Sequence, residues 1–279
     1  MKKYPSIPRV KDAPSRLFDE GHLWLLEKVD GANFRFQLQQ SGLIQFGDRS
    51  RWFADPEAVP EPYQHAVRYI QEYLDRNALR HAVNDVEDVV FFGEAMHQHT
   101  VEYEWDRVPS FLGFDIWSAE TTEFYPPDTV EQIFEQLGLH PVNVIERERR
   151  ARDFDPEAYA VPQSAWYDGP AEGVVIRNKR GGRAKLLHPA FQDVDEAVPV
   201  AVSAPKLAAE FATERRMEKL AAKIENREQP VTVETLYERV LEDIVREEHK
   251  RLYHSGESVD MDTFRSEIGR LVRQFLETR

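Results

Sequence analysis

Glu27-Lys28-Val29-Asp30-Gly31-Ala32-Asn33 is the stretch on which the reading of this chain turns. The apolar run Leu23-Trp24-Leu25-Leu26 leads into it, and Phe34-Arg35-Phe36-Gln37-Leu38, alternating with period two, leads out. Those patterns predict strand, tight turn, strand. The turn leaves one lysine at a strand end, with Asp30 two residues on and a glycine able to take φ > 0. A lysine lodged there gains little from packing its long stem. An amine held rigid, partly desolvated and aimed at an electrophile is a nucleophile. The same residues also read as a surface lysine in an ordinary hairpin, so the rest of the chain has to decide.

The 279 residues suffice for one large or two ordinary domains, with 41% hydrophobic and 31% charged residues, as in a globular protein with a proper core. No apolar run reaches the length of a membrane span, and no apolar segment follows the basic MKKYPSIPRV start, so neither a membrane partner nor a signal peptide is expected. Cysteine is absent, which excludes disulfides, thiolate catalysis and cysteine-ligated zinc; a cytoplasmic setting follows as an expectation. The net charge of −14 argues against a uniformly basic nucleic-acid surface, although a local basic strip suffices for phosphate.

Along the chain, residues 1–20 read as an irregular, proline-rich lead-in. Three strands follow within 23–51, the last two joined at Ser41-Gly42. One amphipathic helix is predicted over 63–79 and another over 127–137, with Gly138 just past its end. Val89-Val90-Phe91-Phe92, Phe111 to Trp117, Glu172 to Arg177 and Arg183 to Leu187 read as strands. Asp193 to Pro205 reads as a linker, and helices are predicted over 206–226, 233–253 and 261–276, with turns at Gln229-Pro230 and Ser255-Gly256. The expectation is an α+β body over 1–204, antiparallel sheets flanked by helices, followed by a small all-α domain over 205–279. His97-Gln98-His99 offers two imidazoles with no third ligand at metal-site spacing and reads as a surface loop.

Polar residues recur at strand ends in a fixed order: Lys28, Asp30 and Gly31; Arg49-Ser50; Glu94 after Phe91-Phe92-Gly93; Phe114 before Asp115-Ile116-Trp117; Glu172 opening Glu-Gly-Val-Val-Ile-Arg; and Arg183 with Lys185 in Arg-Ala-Lys-Leu-Leu-His-Pro-Ala-Phe. A charge at such a position must be solvated, paired or functional. The ordered set, over roughly 23–191, resembles the covalent nucleotidyltransferase superfamily of polynucleotide ligases and messenger-RNA capping enzymes. Within it the chain looks most like the RNA ligase 2 family of ATP-dependent RNA ligases. Asn33 completes a K-x-[HD]-G-x-N pattern, the basic motif runs into His188-Pro189-Ala190-Phe191, and a helical tail stands where DNA ligases and capping enzymes carry an OB-fold. Arg183 departs from that family's K-x-K, keeping charge but not geometry.

The resemblance implies a ligase-type nucleotidyltransferase domain in which Lys28 attacks the α-phosphate of ATP to give lysyl-AMP. AMP then passes to a 5′-phosphate RNA end, and a 3′-hydroxyl displaces it. It implies catalytic roles for Lys28, Asp30, Glu172 and Lys185, with Glu172 on Mg²⁺ (or Mn²⁺). It implies nucleotide binding by Glu27, Gly31, Asn33, Arg49, Glu94, Phe114 and Arg183. Lys28 has to lose a proton to react, which positive neighbours or desolvation assist. The tail holds 14 Lys+Arg against 16 Asp+Glu and the body 22 against 34. Arg215, Lys219, Lys223 and Arg227, four apart, form a basic stripe there suited to RNA, although a solvated helix face has the same pattern. A DNA ligase, a capping guanylyltransferase and a silent RNA-binding protein on the same fold are the rival readings. A nicked duplex, a tRNA half and single-stranded ends remain equally open as substrates.

Overall fold

The two strands that flank Lys28 belong to different sheets. In the computed structural model, which describes residues 2–191, 203–253 and 259–279, β1 (His22–Lys28) lies between β7 (Val144–Arg150) and β8 (Gly173–Asn178), with β9 (Arg183–Leu187) outside β8. β2 (Ala32–Leu38) lies between β3 (Ile44–Asp48) and β4 (Val89–Ala95), with β5 (Phe111–Ser118) and β6 (Glu123–Phe124) following β4. All the pairings in both sheets are antiparallel. The expected strand, short turn and strand are present, but the two strands do not pair with each other as a hairpin would. Both edges of β1 are taken, so the chain must cross to the second sheet within Val29–Gly31.

Sequence alternation explains why β1 is central. Leu23 and Leu25 join one apolar cluster with Leu17, Phe154, Val174 and Ile176, while Trp24 and Leu26 join another with Val29, Met96, Leu112 and Val142. A strand apolar on both faces has to be covered on both. α1 (Arg16–Asp19) contributes Leu17 to the first cluster. The second cluster fills the space between the sheets. On the far side of the five-stranded sheet, α2 (Gln64–Tyr73), α3 (Arg76–Ala82) and α4 (Pro127–Gln136) bury Val67, Ile70, Leu79, Val130 and Phe134 against Phe34, Phe36, Phe91 and Phe111.

Several elements depart from expectation for local reasons. The helix over 63–79 is two helices, because Leu74 is extended and the Asp75 carboxylate accepts from Ala78 N at 2.8 Å, capping α3. β7 reads as charge rather than strand in sequence (Val-Ile-Glu-Arg-Glu-Arg-Arg), yet Leu25 and Leu26 pair with it. Charged side chains on an edge strand are a common guard against edge-to-edge association. Residues 2–9, expected to be irregular, are tied down: Lys185 N donates to the Pro8 carbonyl at 2.9 Å and Arg35 Nη1 to the Lys2 carbonyl.

The chain divides into two compact units, Met1–Met96 with Thr100–Val194, and His97–His99 with Asp195–Arg279. The second unit holds α5 (Ala204–Phe211), α6 (Glu214–Glu225), α7 (Val233–Glu247), α8 (His249–Tyr253) and α9 (Met261–Thr278). Its core is Leu207, Ala221, Leu236, Val240, Ile244, Phe264, Ile268 and Val272. The helices expected over 206–226 and 233–253 are each broken, the first where Thr213 caps α6 and the second at Glu248. A boundary at 204/205 would cut the first turn of α5. The linker over 193–205 lies largely outside the described residues, and the Ser255-Gly256 turn wholly so. His97-Gln98-His99 is not a surface loop, since His97 is 1% exposed. No helix among the described residues is long and apolar enough to cross a membrane.

Gly138 ends α4 with φ +76, and a Cβ there would stand 2.7 Å from the Tyr73 carbonyl oxygen. Both the left-handed backbone and that contact penalise a side chain. Gly138→Ala is expected to lower the unfolding free energy by about 1–3 kcal/mol in urea titration; an unchanged midpoint would mean that the α2–α4 packing relaxes freely.

Candidate active site

Register brings the motif residues together. Lys28, the last residue of β1, pairs with Gly173, so it stands beside Glu172, just before β8. Asn33 pairs with Glu94 across β2 and β4, and Glu94 with Leu112 across β4 and β5. Lys185 pairs with Val175 across β8 and β9. The strand ends of both sheets therefore face one cleft of about 220 Å³. Its walls include Lys28, Asn33, Arg49, Glu94, Phe114 and Lys185, all expected from sequence.

Lys28 Nζ donates to both oxygens of Glu172, at 2.7 and 2.6 Å. Burial works to lower the Lys28 pKa, but Glu172, Glu94 and Asp30 outweigh it and the ammonium is stabilised overall. Burial raises the Glu172 carboxyl, with Asp30 adding and Lys28 and Lys185 opposing. Burial likewise pushes Glu94 up to about 8, helped by Glu172 and Asp30 against Lys28 and Arg49. Lys185 is shifted down by burial and by Lys28, Arg9 and Arg49. Two carboxyls raised together mark a site short of positive charge. Their hard oxygens suit Mg²⁺ or Mn²⁺, and the buried Asn33 Oδ1 has no hydrogen-bond partner among the described residues.

Four expected residues, of which Glu27 also borders the cleft, are engaged with other parts of the fold. Arg183 is not a wall of the cleft: its Nη2 binds Asp115 Oδ2 at 2.5 Å and its guanidinium lies 4.4 Å from the Phe124 ring centre. Its charge is committed to a buried carboxylate and not presented to the cleft, unlike the placement expected of it. The Asp30 carboxylate accepts from Thr100 N and Val101 N at 2.6 and 2.8 Å, and thus positions the loop beside Lys28. The Glu27 carboxylate, 2% exposed, accepts from Asn143 Nδ2, Ser164 Oγ and Ala165 N at 2.9, 2.6 and 3.1 Å, so it braces the lysine strand. Gly31 does not take positive φ; a Cβ would lie 2.5 Å from the Ala95 carbonyl oxygen, so close approach of β4 excludes a side chain.

Sequence reasoning missed the Tyr4-Pro5-Ser6-Ile7 segment, which lines the cleft. Ser6 Oγ accepts from Arg49 Nη2 at 2.9 Å, and the Tyr4 ring packs edge-on against Phe114 at 4.9 Å. The available signal was Pro5 and Pro8, which favour extended backbone on either side of them. Arg177, another wall missed, donates to the Phe114 carbonyl at 2.8 Å. In the second unit, Arg215 and Lys223 are exposed and Lys219 half-buried on α6, whereas Arg227 lies beyond its C-terminus.

A family model described as RNA ligase matches residues 21–188, more than half of the chain and the whole of this cleft except the Tyr4–Ile7 segment. The chain belongs to the RNA ligase family. An archaeal ATP-dependent RNA ligase structure, form 1, aligns over 99% of this chain and 65% of its own at 18% identity, TM-score 0.51. A Naegleria gruberi RNA ligase mutant with ATP and Mn aligns over 68% and 57% at 14% identity, TM-score 0.54. The same ligase with PPi aligns over 68% and 57% at 15% identity, TM-score 0.52. At these identities the likeness establishes the fold, and this RNA ligase family member spans less than two thirds of the length of either relative. No curated protein matches the sequence.

The raised carboxyls set a pH dependence for the family's cleft in this chain. Folded Glu94 keeps its proton to about pH 8, whereas an unfolded glutamate loses it near 4.5. Between those values the folded state binds more protons, so stability falls as pH rises through the window. Thermal midpoints without nucleotide are expected to decline from about pH 5 to 8, and Glu94→Gln to flatten the decline. Parallel curves for the two proteins would remove Glu94 as its source.

Proposed function

We propose that this protein is an ATP-dependent RNA ligase that loads AMP onto Lys28 and joins a 5′-phosphate to a 3′-hydroxyl RNA end. The observation that carries this is the Lys28 Nζ–Glu172 pair at 2.6 and 2.7 Å, beside a cleft walled by Arg49, Glu94, Phe114 and Lys185. Family membership supports RNA as the substrate class, and the archaeal and Naegleria relatives bear names that specify ATP-dependent RNA ligation or binding of ATP and Mn. A cytoplasmic setting suits a cysteine-free chain.

Phe114 offers a flat apolar face to the adenine, and Arg49 and Glu94 offer a donor and an acceptor to the ribose hydroxyls. Glu172 would hold Mg²⁺ or Mn²⁺, a Lewis acid that neutralises phosphate charge. Committing Glu172 in this way also withdraws the carboxylate that keeps Lys28 protonated, so the amine releases its proton more readily. Lys28 Nζ then attacks the α-phosphorus; the N–P bond forms and the bond to the leaving pyrophosphate oxygen breaks. Lys185, its own pKa lowered, stays close enough to the site to balance negative charge developing on the phosphoryl oxygens. Asp30 and Glu27 act by fixing the backbone that presents Lys28. The adenylate then passes to the RNA 5′-phosphate, and the 3′-hydroxyl displaces AMP.

Radiolabelled ATP with Mg²⁺, followed by denaturing electrophoresis, tests the first step. Wild type is expected to carry the label, Lys28→Ala none, and Glu172→Gln a level reduced by orders of magnitude. Label on the alanine protein would reassign the nucleophile, and label from GTP instead of ATP would favour a capping enzyme.

The basic residues of α6 supply the proposed RNA grip, since the strand-rich unit is acidic overall. Arg215→Glu with Lys223→Glu is expected to leave adenylylation intact while weakening sealing of nicked or single-stranded RNA. Wild-type sealing should in turn fall steeply with added salt. Sealing by the double variant at the wild-type rate and salt slope would exclude α6 as the RNA contact.

A further inference from the structure

Three imidazoles converge in the second unit, and none of them is a wall of the nucleotide cleft. His97 and His99 alternate along a non-helical segment, and His249 opens α8, with 150 positions separating His99 from His249. Side chains two apart in extended backbone share a face. The backbone between the first two is pinned, since Gln98 N donates to the Arg246 carbonyl at 2.9 Å, one turn before His249. His97 is 1% exposed, His249 5%, and His99 is half-buried.

Their nitrogens come close enough to converge on one ion. His97 Nε2 and His99 Nε2 are 3.1 Å apart, a separation at which two imidazole nitrogens need a proton or a cation between them. A tetrahedral ion with bonds of about 2.0–2.1 Å holds its ligand nitrogens about 3.3 Å apart. One ligand nitrogen from each histidine, His249 included, lies within 4.8 Å of the others. The His97 and His249 rings lie face to face at 4.1 Å, and Tyr253 stacks on His249 at 5.1 Å, which walls the cluster with aromatic surface.

We propose that His97, His99 and His249 form a zinc site. Three neutral imidazoles, with neither carboxylate nor thiolate, select a borderline ion such as Zn²⁺ over Mg²⁺ or Ca²⁺, and water completes the tetrahedron. The ion is structural: it clips a short segment to the start of α8 across a long stretch of chain, restraining the unfolded state as any long-loop cross-link does. It differs in chemistry and in residues from the hard-oxygen metal position expected at Glu172.

The test uses tag-free full-length protein, stripped with a chelator and titrated with Co²⁺ and Zn²⁺. The expected results are one Co²⁺ per chain with the visible absorption of tetrahedral coordination, displacement by Zn²⁺, and a thermal midpoint raised by Zn²⁺ but not by equimolar Mg²⁺. His249→Asn and His99→Asn are each expected to lose the Co²⁺ spectrum and the zinc-dependent shift, and His22→Asn to retain both. Should His249→Asn fail to fold, the half-exposed His99→Asn carries the comparison. Absence of the Co²⁺ spectrum in wild type, or its persistence in His99→Asn, overturns the site and leaves an imidazole stack.

Discussion

One buried carboxylate, Asp115, holds the two sheets in register around the cleft. It lies on β5 and is fully buried, yet it binds Arg177 of β8 at 3.0 Å, Arg183 of β9 at 2.5 Å and the Tyr4 hydroxyl at 3.0 Å. A charge in such surroundings is tolerable only while its partners are in place, and losing one typically costs about 3–5 kcal/mol. The arrangement ties strands of the four-stranded sheet to the five-stranded one, and brings the N-terminal segment against Phe114. It also explains why Arg183 has no charge to spare for a phosphate.

Opposite that clamp, the Lys28 site is poised by excess acidity. Glu172 and Glu94 have raised pKa values because burial and repulsion from neighbouring carboxylates, Asp30 in both cases, are only partly offset by Lys28, Arg49 and Lys185. Lys28 in turn is held as an ammonium, the unreactive form, despite its burial. Positive neighbours or desolvation would free the amine; in the fold burial does press that way, but the nearby carboxylates outweigh it. A cation taken by the carboxylates relieves both sides of that imbalance at once, which is why metal binding and nucleophile activation belong together in the proposed chemistry.

Much of the site was legible in order rather than in spacing. Lys28, Asn33, Arg49, Glu94, Phe114 and Lys185 each end or occupy a short apolar strand, and antiparallel register brings such positions to one edge of a sheet. Side chains whose partners come from distant loops were not legible. Asp30 and Glu27 look like active-site acids, but backbone amides at 100–101 and 165 and side chains at 143 and 164 claim them. The Tyr4–Ile7 wall was hidden because an extended, proline-bearing segment has no periodicity of its own.

The sequence by itself determined most of the strands, the helical tail and the lysine at the end of β1, because alternation, helical spacing and turn residues are local properties. Tertiary structure alone decided that β1 and β2 lie in different sheets, because a strand apolar on both faces and paired on both edges has no place left for its neighbour. It alone brought His249 to His97 and His99, because no local pattern encodes a contact across 150 residues. It also decided that Gly31 is there to admit the Ala95 carbonyl, not to turn the chain. In each case the deciding force is burial or close approach between segments remote in sequence, which a reading one residue at a time does not contain.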